Sequence, residues 1–391
     1  MNLQNLQLDN RNGGTGGGGG GSSSINDQSK INHHHQQQKL QQQQEVSKAQ
    51  SLPLPPPSSS SNSNSNFNTL PSYRTPLMYG TKSGKELTHV YVKDAILVGF
   101  RHIVTCGHHN ANNETGVGVG WKLARQELKD KHGISLSRSE LFLQTCFVPW
   151  DQTKDFKNQP QYDPPDPPAT IQEQVHLSIK TSLQNLQTTY IDAVIFHNFR
   201  AKVYGPYERM IDAWKVLEEY VDQGIIRYLG FTSIHDPVYL ERIMTDSSIR
   251  IKPSIIQNRY HSNRGPYDVN MQPIFLKYKL QIQRFWLLNG SSRGGKANSD
   301  MAKSKNVTNA QLLLAFVMSQ QYQSCIVGTH SIQHMKDDVD ISKRYNTTTL
   351  FTDMYTTTDD GSGGNIGPDV QRKEYATKLG IKDPNFILTH N

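Results

Sequence analysis

"YERMIDAWKVLEEYVDQGIIRYLGF" (residues 207–231) reads as a helix, a glycine stop at Gly224 and a short strand, in that order. Glycine suits the left-handed turn that ends a helix, and the apolar run "IRYLGF" suits a strand buried on both faces. Working outward, the same alternation recurs. On the N-terminal side, "HVYVKDAILVGF" reads as a helix stopped at Gly99 and "RHIVTC" as a strand. "VGVGWKLARQELKDK" is helical, "LFLQTCFV" is a strand, "IQEQVHLSIKTSLQNL" is an amphipathic helix and "YIDAVIFH" a strand. On the C-terminal side "PVYLERIM" and "PSIIQN" form one pair, and "MQPIFLKY" and "LQIQRFW" the next. "NAQLLLAFVMSQQ", "SCIVGT" and a last short helix, "IQHMKDDV", close the series. About seven strand–helix units after an initial turn around "MYGTKSG" imply a closed parallel (β/α)8 TIM barrel. An open doubly wound sheet would need a phosphate loop after an early strand. The nearest match, "GVGVGW" (116–121), places Trp121 where G-x-G-x-x-G needs its third glycine, and it follows a loop.

Composition bounds the domain. Residues 1–75 are low-complexity tracts, among them "GGTGGGGGGSSS", "HHHQQQKLQQQQ" and "LPLPPPSSSSNSNSN", which read as a disordered tail. The histidines at 33–35 belong to that tract rather than to a metal site. Residues 76–344 hold the apolar sequence and make the barrel. Residues 345–391 return to polar, turn-rich sequence as a C-terminal extension with one short helical stretch, "VQRKEYATKLG". The formal charge of +7 comes from scattered Lys and Arg with no basic stripe, which argues against a nucleic-acid partner. Cys106, Cys146 and Cys325 have no ligand-like spacing, and their odd number suits a reducing compartment. With no signal-peptide core and no run of about 18 apolar residues, the expectation is a cytoplasmic monomer without a membrane partner.

Six segments in unbroken order resemble the aldo-keto reductase family: "GFRHIVTCGHHNANNETGVG" (99–118), "ELFLQTCF", "TYIDAVIFHN" (189–198), "YVDQGIIRYLGFTSI" (220–234), "KPSIIQNRY" (252–260) and "IVGTHSIQHMKDD" (326–338). The resemblance implies a (β/α)8 barrel that binds NADP(H) at its C-terminal face and reduces small aldehydes or ketones. Hydride passes from the nicotinamide to a carbonyl carbon while the carbonyl oxygen takes a proton. In the family a tyrosine phenol gives that proton. Its reference pKa of about 10 is lowered by a buried lysine paired with an aspartate, and a histidine orients the substrate.

At those positions this chain departs from the family. The aspartate position is Val104 and the lysine position is Cys146. Counting forward from Val104 puts His109 at the tyrosine position, whereas counting back from Glu114 puts Ala111 or Asn112 there. Only the histidine is kept, as His197. The substitutions are mutually consistent, because without a phenol to tune neither a lysine nor its counter-charge is needed. Two active alternatives remain. His108 or His109 would act as a substitute proton donor, since imidazole titrates closer to neutrality, or Cys146 and His197 would pair as nucleophile and base.

By the same resemblance the nicotinamide carboxamide is held at Thr232, Ser233 and Gln257, with Phe285 stacked on the ring. Gly328 and Thr329 suit the adenosine phosphate through a backbone N–H and a hydroxyl. The arginine usually found five residues on is His334, so NADP(H) would be held with reduced affinity. The expected function is therefore that of an impaired reductase acting as a nucleotide-binding or scaffold protein. The alternative is a divergent carbonyl oxidoreductase.

Overall fold

The computed structural model describes residues 76–108, 111–150, 170–197, 206–260, 268–288, 296–320 and 322–345, with Thr377 besides. All of them lie in the unit Pro53–Asn391. The proposed N-terminal tail (1–75), almost all of the extension (345–391) and His109 fall outside the described residues.

Eight parallel strands close in sequence order into a barrel. They are β1 (Leu77–Gly80), β2 (His102–Val104), β3 (Phe142–Phe147), β4 (Ile191–Phe196), β5 (Ile226–Thr232), β6 (Ile255–Arg259), β7 (Gln281–Phe285) and β8 (Gln323–Val327). The described helices are α1 (Thr88–Val98), α2 (Glu114–His132), α3 (Ile171–Leu186), α4 (Tyr207–Asp222), α5 (Pro237–Thr245), α6 (Gln272–Lys277), α7 (Lys296–Ser304), α8 (Asn309–Met318) and α9 (Ile332–Tyr345). The barrel expected from the alternation is the one observed. One element differs: residues 77–80, expected as an initial turn, form the first strand. This strand is only four residues long. It is held by pairing on both sides, with β2 and with β8, rather than by any strand-like pattern of its own.

The opening stretch folds as it reads. Gly224 takes φ 70° after α4, and Trp214 stacks on Phe231 of β5 with ring centroids 4.4 Å apart. Alternation along the strands separates two apolar sets. Leu143, Phe147, Val194, Phe196 and Phe231 join the core shared with the helices. Cys106, Cys146, Val148, Ala193, Ile195 and Ile255 form a smaller cluster of their own. That second set faces the barrel axis. Gln144 of β3 exchanges amide hydrogen bonds of 2.6 and 2.7 Å with Gln283 of β7, a strand across the barrel. Gln257 adds a third bond to Gln283 at 3.1 Å. These amides are buried and satisfy one another, so they cost little to keep in the interior.

The glycines of "GVGVG" serve helix packing rather than phosphate binding. A Cβ on Gly118 would lie 2.1 Å from the Asn185 carbonyl, and one on Gly120 would lie 2.8 Å from the His89 carbonyl. Helix α2 thus meets its neighbours backbone to backbone, and the Trp121 indole N–H donates to Leu186 O at 2.9 Å.

At the N-terminal end of β4, Asp192 is 1% exposed and carries a charge network. It accepts from Arg138 at 2.8 Å, Arg227 at 2.9 Å and Leu143 N–H at 2.9 Å. Tyr190 lies between the two guanidinium groups, at 4.1 and 4.2 Å from its ring centre. Removing Asp192 leaves the buried Arg138 guanidinium without its carboxylate. Asp192→Ala is expected to lower the unfolding free energy by about 3–5 kcal/mol, read from chemical denaturation. A loss below about 1 kcal/mol, typical of exposed pairs, would contradict the importance assigned to this network.

Candidate functional site

The strand tips gather most of the sequence-derived candidates at the C-terminal face. Val104 ends β2 and is 7% exposed. Bonds from Thr105 N–H to Gln144 O (2.8 Å) and Gly107 N–H to Cys146 O (3.2 Å) carry the β2–β3 pairing beyond it. Cys106 and Cys146 therefore lie side by side. The Cys146 thiol donates to Thr105 O at 3.7 Å and is 4% exposed. Burial, with the neighbouring thiol second, pushes the Cys106 thiol well above its ordinary range. His197 follows β4, its N–H bonded to Phe147 O at 2.8 Å. The ring facing it is His108, with centroids 6.0 Å apart at 72°. Cys146 Sγ is thus directed at a backbone carbonyl. Of the two histidines proposed as substitute donors, only His108 is among the described residues.

Beside this pair, Thr232 Oγ1 donates to Gln257 O at 2.9 Å and Ser233 N–H donates to the same carbonyl at 2.9 Å. Ser233 sits in the left-handed region at φ 62°, which turns the chain away from β5. The Gln257 side-chain nitrogen donates to Gln283 Oε1 at 3.1 Å.

Phe285, Gly328, Thr329 and His334 line a cavity of about 830 Å³ framed by the tips of β7, β8 and β1 and by α8 and α9. Val104, Cys146, His108, His197, Thr232, Ser233 and Gln257 are not in its lining. Ligand pockets commonly span about 300–1,000 Å³, so the size suits a nucleotide. The residues present suit one as well. Phe285 offers a ring face, and Thr329 offers a hydroxyl. A Cβ on Gly328 would come within 3.1 Å of the Gly80 carbonyl, which keeps the backbone bare there.

Lys82, Trp286, Asp337 and Asp338 are among the lining residues that were not anticipated. Trp286, at φ 67° and 37% exposed, lies under the Arg259 guanidinium at 4.1 Å, with Lys82 Nζ at 5.9 Å. Asp337 and Asp338 line the cavity from α9. Asp338 is 4% exposed. Burial and then Asp337 push its carboxyl up to about 7. No sequence pattern marked these residues, although an aromatic directly after Phe285 was a usable hint.

With this geometry established, comparison with known proteins is informative. Residues 79–273 match a model described as the Aldo/keto reductase family. An uncharacterised oxidoreductase of Schizosaccharomyces pombe is 26% identical over 236 residues, 57% of this chain and 61% of that protein. Methylglyoxal reductase DkgA of Yersinia pestis is 29% identical over 174 residues, 44% of this chain and 49% of that protein. The chain thus spans between half and three-fifths of the length of these two relatives. Among solved structures, an aldo/keto reductase from Brucella melitensis shares the fold at TM-score 0.53 and 19% identity, covering 68% of this chain and 88% of the other. An aldo-keto reductase from a deep-sea metagenome, MGS-M4, does so at 0.52 and 19%, covering 74% and 96%.

Because the raised carboxyl of Asp338 favours its protonated form in the folded state, its contribution has a definite sign. That contribution is fully present below the unfolded carboxyl pKa near 4 and is lost as pH rises through about 7. Asp338→Asn should match the parent in unfolding free energy at acid pH. At pH about 8 it should be more stable, by a few kcal/mol at most. A difference between the two proteins that stays flat with pH would refute this assignment.

Proposed function

We propose that this chain, which belongs to the aldo/keto reductase family, binds a nicotinamide dinucleotide but is strongly impaired in carbonyl reduction. It would then act as a nucleotide-binding or scaffold protein. The observation that carries this reading is the pair Val104 and Cys146. Both are buried at the strand tips, and the Cys146 thiol is turned to a backbone carbonyl within an apolar cluster. Neither side chain can lower a neighbour's pKa by charge, and valine can neither give nor take a proton.

When bound, the dinucleotide supplies or accepts hydride. The chain's own part would be to hold it along the cavity, with Phe285 against its ring and Gly328 and Thr329 near its adenosine half. Family likeness points to NADP(H), and one relative is named an NADPH-dependent D-xylose reductase. With His334 where an arginine is expected and no side chain at Gly328, that grip is weakened. If any substrate is turned over, it is a small carbonyl compound. The same reading takes the chain to be a cytoplasmic monomer without nucleic-acid or membrane partners. It rests on three free thiols and scattered basic residues. Among the described residues no helix is long and apolar enough to cross a membrane.

A second reading has one observation in its favour. His108 and His197 face each other at 6.0 Å, so His108 is placed to give a proton to an oxygen oriented by His197. A general acid is worth about 10²–10⁴ in rate, which makes the two readings separable. Nicotinamide fluorescence should report binding, while turnover with a panel of aldehydes and ketones should be absent or at least about 100-fold below that of the triple variant Val104→Asp, Cys146→Lys, His109→Tyr. Ready turnover by the parent that His108→Phe abolishes would replace the first reading with the second.

A further inference from the structure

We infer that the cavity between β7, β8 and β1 selects a dinucleotide whose adenosine ribose keeps its 2′-hydroxyl, so that NAD(H) binds better than NADP(H), and that Asp338 is the discriminating residue. This rests on the reading above that the cavity holds a dinucleotide.

The charge in the cavity is uneven. At one end Lys82, in the lining, lies 5.9 Å from the Trp286 ring, and Arg259, outside the lining, lies 4.1 Å from that ring. Two cations beside an aromatic suit a pyrophosphate. The other end is α9, where Asp337 and Asp338 enter the lining with His334. His334 is exposed and offers an imidazole in place of a guanidinium. A 2′-phosphate placed here would bring close to two negative charges against Asp337 and Asp338, with no Lys or Arg of α9 in the lining to offset them.

Nor is the start of α9 open to a phosphate. His334 N–H already points to Ser331 Oγ at 3.4 Å, and Ser331 N–H donates to Thr329 Oγ1 at 3.2 Å. The Thr329 carbonyl is taken by the Tyr79 hydroxyl at 2.9 Å.

The two acids differ in their commitments. Asp337 is engaged: Gln333 Nε2 donates to its carboxylate at 2.9 Å, and Gln311 Nε2 donates to its carbonyl at 3.2 Å. Asp338 has no hydrogen bond or ion pair to any described residue, although it is 4% exposed. A buried carboxyl without a partner is costly unless a ligand supplies one. A ribose hydroxyl is a donor of the right kind. A carboxylate accepting from the ribose hydroxyl and a cation answering the 2′-phosphate is the general chemical division between the two dinucleotides.

The test is a pair of titrations on the full chain, NADH and NADPH separately, followed by quenching of tryptophan emission. NADH should bind more tightly by about tenfold or more. Asp338→Asn should pull the two dissociation constants together, and Asp338→Arg should reverse their order, with circular dichroism confirming that each variant is folded. NADPH binding as tightly as NADH, or a ratio unmoved in Asp338→Asn, overturns the selectivity and leaves the cavity as a dinucleotide site. Failure of both dinucleotides to bind overturns the inference and the dinucleotide reading together.

Discussion

Parallel pairing of Leu77 with Cys325, Met78 with Ile326 and Tyr79 with Val327 joins the first strand to the last. A sheet closed in this way has no free edge, and its strand tips form a ring at one end. The closure brings Gly80 and Gly328 so near that a single added carbon on Gly328 would crowd the Gly80 carbonyl. It also lets the Tyr79 hydroxyl reach Thr329 O across 250 residues of sequence. The cavity wall is built from residues near both ends of the barrel sequence, and without the β1–β8 seam it would not exist. The short β1 therefore matters out of proportion to its length.

Inside the ring, the barrel axis is filled by groups without formal charge. His102 is held neutral because burial pushes its pKa down to about 3. The three glutamines saturate one another, and above them Cys146, Ala193, Ile195 and Ile255 pack as an apolar layer. An isolated aspartate at Val104 or lysine at Cys146 would be an uncompensated buried charge, costing several kcal/mol or losing its proton balance. The two positions must therefore change together or not at all. At the opposite end of the barrel Asp192 pairs with both Arg138 and Arg227.

Much of this could be read from sequence because the helix–glycine–strand rhythm is enforced locally. Gly133 and Gly224 adopt φ 65° and 70°, and each ends its helix where the pattern says it should. Candidate residues counted from a strand end, such as Val104, Cys146 and Gln257, come out on the barrel's inner side because a strand fixes orientation two residues at a time. What failed was whatever depended on distant pairing or on loops. The strand "LMYG" has no alternation to reveal it, and α7 ("KANSDMAKS") is too polar to show a buried stripe. The tyrosine position, counted as His109 from one side and as Ala111 or Asn112 from the other, falls in a loop where counting has no anchor. Asp337 and Asp338 looked like ordinary charges on a short surface helix, because nothing local says which face of α9 meets a cavity.

The two halves of the C-terminal face can be weighed by the same energetic standard. A buried ionisable group without a partner reduces stability and persists only where something is gained from it. At the β2 and β3 tips Val104 cannot ionise, and Cys106 and Cys146 are buried thiols, the first pushed up by burial. At α9, Asp338 remains buried and unpartnered among the described residues, beside a second carboxylate that makes its ionisation harder. Eleven residues after β8, it sits in the wall of a large cavity that the β1–β8 seam helps to create.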